Sequence, residues 1–360
     1  MNKLYSIQVL RGLAAVAVVV DHVTHYMHKS FSGQSWLFSS NIYNVGGFGV
    51  DLFFCISGFI MVITSYNKPK GFLQALSFLK KRFVRIYPTY WIYCLLTLAL
   101  PFILNGKTNL LSKYDNIFLL QSFMLLPAKI SEHSFSPFVG QGWTLQYEIY
   151  FYLVFAATIL LFSGWQVVLA CSASIICLLA SSMAIDFNEY VNYLISNPIV
   201  LDFILGMISA LIYISLSNNG FKVPFKTSII TLILLMMCVS FFVMKKINIE
   251  RVVLFGIPSF IIITIFSLSS INDNKAINKV LIQIGEASYT IYLAHMILIW
   301  SALKYSSHFK MMNVDLAIIL HVIIICAIGY IMFLAIEKNI ANFSNGFSRR
   351  KKTQIINKNS

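Results

Sequence analysis

The 360 residues are 58% hydrophobic and only 11% charged, with a mean hydropathy of +0.77. Soluble globular chains carry about 25% charged residues, so the composition excludes that class and indicates a polytopic membrane protein. The formal charge of +14 does not indicate a nucleic-acid partner, because the basic residues lie mostly in short loops and near the C-terminus, where they direct topology and meet anionic lipid. The six cysteines lie in apolar runs without Cys-x-x-Cys spacing, so we expect neither disulfides nor a metal site.

Runs of about 20 mainly apolar residues predict roughly ten transmembrane helices, and therefore an all-α membrane bundle. The first run is short enough to resemble a signal-peptide core, but no cleavage site follows it, so we expect a retained helix. The predicted spans are 8–28, 46–65, 86–104, 144–162, 165–183, 196–217, 226–244, 251–270, 286–304 and 314–336.

The loop charges predict that both termini are cytoplasmic. In that orientation the inner segments hold 18 of the 27 Lys and Arg residues, and one outer loop, 245–251, is the main exception. We divide the chain into a transmembrane domain, 1–337, and a basic cytoplasmic tail, 338–360, whose composition predicts disorder. Between spans three and four, the apolar stretch 114–126 is too short to cross a bilayer and predicts an interfacial or re-entrant helix.

The first span carries a cation near one end and an acid–imidazole pair near the other. Arg11 and His22 are separated by almost three helical turns, so they share one face of the helix about 16 Å apart. Ionisable groups within a membrane helix indicate a functional site. The alternative is that Arg11 is a snorkelling topology anchor and His22 a hydrogen-bonded packing residue.

Two carboxylates are predicted at a depth similar to that of His22. Spans two and four both enter from the outer side, and they carry Asp51 and Glu148 within their first turns. A histidine beside a carboxylate is suited to general-base or nucleophilic catalysis, with the acid orienting the imidazole or stabilising its positive charge. The alternative for each acid is a cap on its helix N-terminus.

Two further pairs lie at helical spacing. Arg82 and Arg85 are three residues apart at the inner end of span three, where they can grip a phosphate or pyrophosphate; topology signalling is the alternative. Tyr292 and His295 are one turn apart in span nine and can face one cavity, or they can pack by interhelical hydrogen bonds.

Five blocks of the sequence resemble, in the right order, the motifs of the acyltransferase-3 family of integral membrane acyltransferases. Together they cover nearly the whole chain. The blocks are Arg11-x10-His22, Gly-Val-Asp-Leu-Phe-Phe-Cys-Ile-Ser-Gly-Phe at 49–59, Arg82-x-x-Arg85 followed by Ile-Tyr-Pro, Trp143-Thr-Leu-x-x-Glu148, and Tyr-Thr-Ile-Tyr-Leu-Ala-His at 289–295.

The resemblance implies a membrane O-acyltransferase of the bacterial inner membrane, which moves an acetyl group from cytoplasmic acetyl-CoA to a cell-surface glycan such as O-antigen or exopolysaccharide. Acetyl-CoA is then a cosubstrate, and no permanently bound cofactor is expected. Some members add a soluble esterase-like domain, which we do not expect here because the chain ends about 24 residues after its last predicted span. The expected roles are catalysis by His22, Glu148 and Asp51, acyl-CoA binding by Arg11, Arg82 and Arg85, and substrate binding by Trp143, Tyr292 and His295.

The main alternative function is a transporter or flippase. Buried His, Asp and Glu residues also build proton relays, but the chain shows no paired halves with matching Gly or Pro breaks. A sensor or scaffold that does not use CoA fits the predicted spans, but it leaves Arg11 and His22 without a role.

Overall fold

A computed structural model describes residues 4–30, 35–105, 114–131, 134–271, 275–303 and 313–342. These residues form α-helices, one small β-hairpin and short 3-10 and π turns. The helices are α1 (Tyr5–Ser30), α2 (Trp36–Ser39), α3 (Gly47–Ser65), α4 (Phe72–Asn105), α5 (Asn116–Phe123), α6 (Trp143–Leu161), α7 (Trp165–Ala184), α8 (Glu189–Ile195), α9 (Leu201–Asn218), α10 (Phe225–Met244), α11 (Ile257–Ser267), α12 (Ala276–Glu286), α13 (Ser288–Leu303) and α14 (Val314–Met332). The hairpin strands β1 (Lys129–Ser131) and β2 (Ser134–Phe135) pair antiparallel, and the 3-10 turns span Ile42–Gly46, Gly140–Gly142 and Pro198–Val200. The π turns are Val252–Gly256 before α11 and Phe333–Glu337 after α14.

The predicted helical membrane bundle is confirmed. Within the described ranges, eight helical segments are long and apolar enough to cross a membrane. The predicted spans 251–270 and 286–304 correspond to shorter apolar helices, Val252–Ser267 and α13. The number of crossings and the side on which the termini lie therefore stay predictions. The tail beyond residue 342 lies outside the described residues.

The helix that carries the paired arginines is longer than the sequence predicted. The third span was predicted to begin at residue 86, but α4 begins at Phe72 and continues through Pro88 to Asn105. Its 34 residues give a length of about 51 Å at 1.5 Å per residue, against a hydrocarbon thickness of about 30 Å. Lys and Arg are good helix formers, so the basic run that ends the apolar pattern does not end the helix. Arg82 and Arg85 are thereby placed on a rigid element.

Close helix crossings in the bundle depend on glycine. A Cβ at Gly206 of α9 would overlap the carbonyl oxygen of Cys55 of α3, and a Cβ at Gly58 would overlap the carbonyl oxygen of Phe203. Small residues at such crossings let the two backbones approach each other closely. Helix α1, which carries Arg11 and His22, packs against α3, α12, α13 and α14.

A short helix forms within the stretch 114–126, as predicted. It is α5, and its end is anchored to α4 because Tyr87, Tyr90 and Trp91 donate hydrogen bonds of 2.8–3.0 Å to backbone carbonyls at 122–124. Since these three aromatic residues lie near the middle of α4, the contact favours the re-entrant alternative over an interfacial helix.

Candidate active site

A cavity of about 190 Å³ lies between α1, α3, α4, α6 and α13. Apolar side chains of α3 form much of its wall, but the cavity is unusually rich in polar groups for a membrane bundle. The polar residues that line it are Arg11, Ser57, Arg82, Arg85, Thr144, Glu148, Tyr152, Tyr289 and Tyr292. The structure thus brings together all three arginines that were expected to bind acyl-CoA.

Arg82 lies in the cavity wall without a carboxylate partner. Its Nη2 donates to Thr64 Oγ1 at 3.2 Å, and its guanidinium lies 6.0 Å from the ring of Tyr152. The Nε atom is buried and has no hydrogen-bond partner among the described residues, and no carboxylate of that part of the chain is within ion-pair distance. A buried N–H group without a hydrogen-bond partner favours an anionic ligand, which would accept its hydrogen bond.

Arg85 has a partner that the sequence did not reveal. Its Nη1 lies 2.9 Å from Oε1 of Glu337, and the two side chains are 40% and 5% exposed. Glu337 also accepts a hydrogen bond of 2.7 Å from Thr290, which fixes the carboxylate between α4 and α13. The signal that could have identified Glu337 is an acid at the far end of a mainly apolar span.

Arg11 completes the cationic end of the cavity. Its contact with Gln8 is long, 3.4 Å from Nη1 to Oε1, and no described carboxylate is within ion-pair distance of it. In the loop between α3 and α4, the pKa of Lys68 is lowered, mainly by partial burial and secondly by the positive charges of Lys81 and Arg82. The arrangement therefore favours a multiply charged anion at this end of the molecule.

Glu148 lies with the arginines. It lines the same cavity, and its Oε1 accepts hydrogen bonds from Ser57 Oγ at 3.2 Å and from Tyr152 OH. Among the described contacts, His22 has no hydrogen bond to this carboxylate. Glu148 is the sixth residue of α6, about 7.5 Å beyond Trp143 along the axis, which is deep enough to reach the cavity. Whether it takes part in catalysis stays a prediction.

His22 lies against His295, which is completely buried. The ring centroids are 5.0 Å apart and the ring planes make an angle of 62°. Nδ1 of His22 is bonded to the carbonyl oxygen of Val18 at 3.0 Å, and Nδ1 of His295 is bonded to that of Tyr292. Because a carbonyl oxygen only accepts, each Nδ1 carries the hydrogen, and Nε2 is the basic atom of each neutral ring.

Tyr292 connects the cavity to this histidine pair. Its ring lines the cavity and lies 5.6 Å from the ring of His295. Its hydroxyl donates to the carbonyl of Gln141 at 3.0 Å and is 2.9 Å from Thr144 Oγ1. The residue predicted beside it, Trp143, does not line the cavity and packs against Tyr147, with ring centroids 6.0 Å apart.

Asp51 has a strong partner of its own. Arg251 binds it in bidentate fashion, with Nε–Oδ1 and Nη2–Oδ2 distances of 3.1 and 2.6 Å. Asp202, also fully buried, has no hydrogen-bond partner on either oxygen among the described residues. By sequence Arg251 was predicted only as a charge of an outer loop, although an Arg at the edge of a span is a natural partner for a buried acid.

The helical bundle with a cationic internal cavity defines a multi-pass membrane protein. The model of the acyltransferase domain family, acyltransferase 3, matches residues 4–337, and the chain belongs to this family. No solved structure matches the chain.

Curated relatives match the chain over different lengths. The exopolysaccharide production protein ExoZ of Rhizobium meliloti (strain 1021) is 31% identical over 172 residues, which is 46% of this chain and half of that protein. The acyltransferase MdmB of Streptomyces mycarofaciens is 24% identical over 328 residues, 82% of this chain and 79% of that protein. Protein 2 in the picA locus of Rhizobium radiobacter is 27% identical over 161 residues, 41% of this chain and 78% of that protein.

Proposed function

We propose that the protein is an O-acyltransferase of the bacterial inner membrane that moves an acetyl group from cytoplasmic acetyl-CoA to a hydroxyl of an extracytoplasmic glycan. The observation that carries this proposal is the convergence of Arg11, Arg82 and Arg85 on one cavity, whose wall leads through Tyr292 to the histidine pair. Family membership supports acyl transfer as the reaction.

The donor is assigned to the cavity by charge and size. Two of the three arginines lack a carboxylate partner within the described ranges, and the third is 40% exposed, which suits the anionic phosphates of CoA at the mouth. Pockets that enclose whole drug-sized ligands measure about 300–1,000 Å³, whereas this cavity measures about 190 Å³. It therefore suits the thin acyl-pantetheine arm, while the nucleotide stays outside.

His22 is assigned the chemical step. In the direct route the acceptor hydroxyl oxygen attacks the thioester carbonyl carbon, a C–O bond forms and the C–S bond breaks. Nε2 of His22 takes the hydroxyl proton and returns it to the departing sulfur. In the acyl-histidine route Nε2 attacks the thioester carbonyl carbon, a C–N bond forms, the C–S bond breaks and CoA leaves as the thiolate. The hydroxyl oxygen then attacks the acetyl carbon, a C–O bond forms, the C–N bond breaks, and the hydroxyl proton goes to the thiolate sulfur. Both routes use the same atom, which the bond from Nδ1 to Val18 leaves as the basic nitrogen.

The acceptor and the location complete the proposal. The printed name of one relative, an exopolysaccharide production protein, supports a cell-surface carbohydrate or lipid-linked glycan as acceptor. Because acetyl-CoA is made in the cytoplasm and the glycan is displayed outside, an inner-membrane location joins the two. Membrane lipid surrounds the bundle, and O-antigen and exopolysaccharide are the two glycan classes to test.

The experiment supplies radiolabelled acetyl-CoA to membranes that contain the protein and measures label in extracted glycan. We expect transfer by the wild type, and a loss of kcat of about 100-fold or more in His22→Gln, since general-base catalysis contributes about 10²–10⁴-fold. His22→Ala should be equally inactive, with donor binding unchanged.

Three outcomes would contradict the proposal. Label that never reaches glycan, combined with glycan or proton movement across the membrane, would favour the transporter. Near-normal transfer by His22→Gln would show that His22 is a packing residue, because an amide keeps hydrogen bonds but does not accept the proton. Loss of protein from the membrane in His22→Ala, with activity kept in His22→Gln, would lead to the same conclusion.

A further inference from the structure

Tyr292 stands between the donor cavity and the histidine pair. It lines the cavity, and it is also the described lining residue whose ring contacts His295, at 5.6 Å between centroids. His22 lies one side chain further on, 5.0 Å from the ring of His295. A thioester that approaches His22 from the cavity by way of His295 therefore passes Tyr292.

Contacts from three elements, two of them hydrogen bonds, hold Tyr292 in this position. Its hydroxyl donates to the carbonyl of Gln141 and lies 2.9 Å from the hydroxyl of Thr144 in α6. The side chain of Gln141 donates to the carbonyl of Leu293 at 2.5 Å. This bond fixes the residue whose backbone carbonyl accepts the hydrogen bond from Tyr292. From α3, the ring of Phe53 contacts Tyr292 at 5.9 Å. The side chain is thus packed from both ends and is 7% exposed.

A second observation comes from the far side of Tyr292. Nε2 of His295 is buried and has no hydrogen-bond partner among the described residues, while Nδ1 is bonded to the carbonyl of Tyr292. With Nδ1 donating, Nε2 is an acceptor that lacks a donor. An amide N–H of the donor arm that passes Tyr292, or a hydroxyl of the acceptor that arrives on the other side, would satisfy it. The unpaired Nε2 of His295 therefore favours the entry of an N–H or O–H group of a substrate into the space beside Tyr292.

We propose that Tyr292 is the residue that separates the thioester from water, and so decides between acetyl transfer and hydrolysis. The inference rests on the proposed function. With no acceptor bound, the packed ring keeps the donor cavity apart from the space around His22. When the acceptor binds, the ring moves aside and the hydroxyl meets the thioester carbonyl. Closure of this kind prevents side reactions of activated intermediates.

The competing reaction is defined by its atoms. In hydrolysis a water oxygen attacks the thioester carbonyl carbon, a C–O bond forms, and the C–S bond breaks to give acetate and free CoA thiol. The proton released by water passes through His22 to the sulfur, as the hydroxyl proton does in transfer. The two reactions share donor, base and leaving group, and they differ only in the attacking oxygen.

The test measures the ratio of acetylated glycan to acceptor-independent CoA release for wild type, Tyr292→Ala and Tyr292→Phe. We expect Tyr292→Ala to lower this ratio about tenfold or more, which corresponds to a barrier change of about 1.4 kcal/mol. Tyr292→Phe keeps the ring and loses the hydroxyl bonds, so its ratio should fall less. A ratio does not depend on how much protein folds, so poor expression does not imitate the effect. In the double variant His22→Gln/Tyr292→Ala, the added hydrolysis should disappear.

Tyr147→Ala is the matched control. Tyr147 is also buried and its hydroxyl donates to the carbonyl of Tyr193 at 2.6 Å, but it does not line the cavity. We expect a less stable protein with an unchanged ratio. A ratio for Tyr292→Ala equal to that of the wild type, or hydrolysis that persists without His22, would overturn the inference and leave the proposed function intact. Absence of both transfer and hydrolysis in the wild type would overturn both.

Discussion

Arg82 and Arg85 lie three residues apart on α4, but the structure gives them different surroundings. Arg85 is neutralised by Glu337 at 2.9 Å, whereas Arg82 is bonded to the neutral hydroxyl of Thr64. An anionic ligand therefore competes with a carboxylate for Arg85 and with no carboxylate for Arg82. Of the two, we expect Arg82 to contribute more to donor affinity.

Arg82→Ala should weaken acetyl-CoA binding by about 1.5–3 kcal/mol, the usual value for a hydrogen bond to a charged group, or roughly 10–150-fold. Arg82→Lys should restore only part of the affinity, because an ammonium lacks the guanidinium fork. Arg85→Ala should act in the same direction. Donor binding to purified protein gives the measurement.

Lys81→Ala is the control for that series, since it removes the adjacent charge from the same helix at an exposed position outside the cavity. Its affinity should stay close to that of the wild type. Equal affinities for wild type, Arg82→Ala and Arg85→Ala would reduce both arginines to topology signals.

At the scale of single residues, sequence spacing predicted which side chains share a face of one helix, but not which side chains of different helices meet. The three-residue interval placed Arg82 and Arg85 on one face, and the structure places both in the cavity wall. The pairing of Asp51 with Arg251, 200 positions away, and the contact of His22 with His295 depend on how helices rotate against each other. Side-chain packing sets that rotation, so no local pattern reveals it.

At the scale of elements, apolar runs identified the helices but not their full lengths. Counting residues from the predicted helix ends gave Glu148 a membrane depth similar to that of His22. In the structure the cavity extends along α6, so Glu148 lines it together with the three arginines. For α4, the apolar run predicts only the part of the helix that lies in lipid. The helix itself begins at Phe72, fourteen residues before the predicted start of the span. The glycines that fix the crossing of α3 and α9 leave no periodic signal at all.

The crossing of α3 and α9 makes a testable element. Gly206→Ala should lower the melting temperature of the purified protein, because the new methyl group overlaps the carbonyl oxygen of Cys55 and overpacking costs about 1–3 kcal/mol. Gly47→Ala makes the same change in α3 where the nearest atom, of Phe255, is 3.6 Å away. That variant should be neutral or slightly more stable, since Ala is favoured over Gly within helices by about 0.5–1 kcal/mol. Equal melting temperatures for the two variants would show that the crossing tolerates separation.

At the scale of the whole molecule, the proposed reaction requires a fixed orientation in the membrane. The loop charges predict that Lys70 faces the cytoplasm and that Lys129, on β1, faces outward. The cationic end of the cavity then opens toward the compartment that contains acetyl-CoA.

Cysteine labelling in intact cells, in a background without the six native cysteines, measures this orientation. Lys129→Cys should react with an impermeant reagent, and Lys70→Cys should react only after the membrane is opened. The loop position 107 is a further external site by sequence, and it lies outside the described residues. The reverse labelling pattern would place the arginines outside and remove the physical basis for a cytoplasmic donor.

The ion pair between Arg85 and Glu337 has a consequence for how the protein is made. Glu337 closes the π-helical turn after α14, so the counter-charge of the cavity-lining Arg85 is synthesised more than 300 residues after Arg11. A nascent chain that has inserted every earlier helix still lacks the counter-charge of Arg85, whose half-exposed side chain is then free to turn toward water. Glu337 competes with the donor phosphates for Arg85, but it also holds the arginine at the cavity wall, and its loss leaves that side chain to turn into water. A chain stopped after Ile336 should therefore bind acetyl-CoA several-fold more weakly than one stopped after Asn342, and equal or tighter binding would show that Arg85 needs no partner. Donor binding should thus report that the turn carrying Glu337 has joined the bundle.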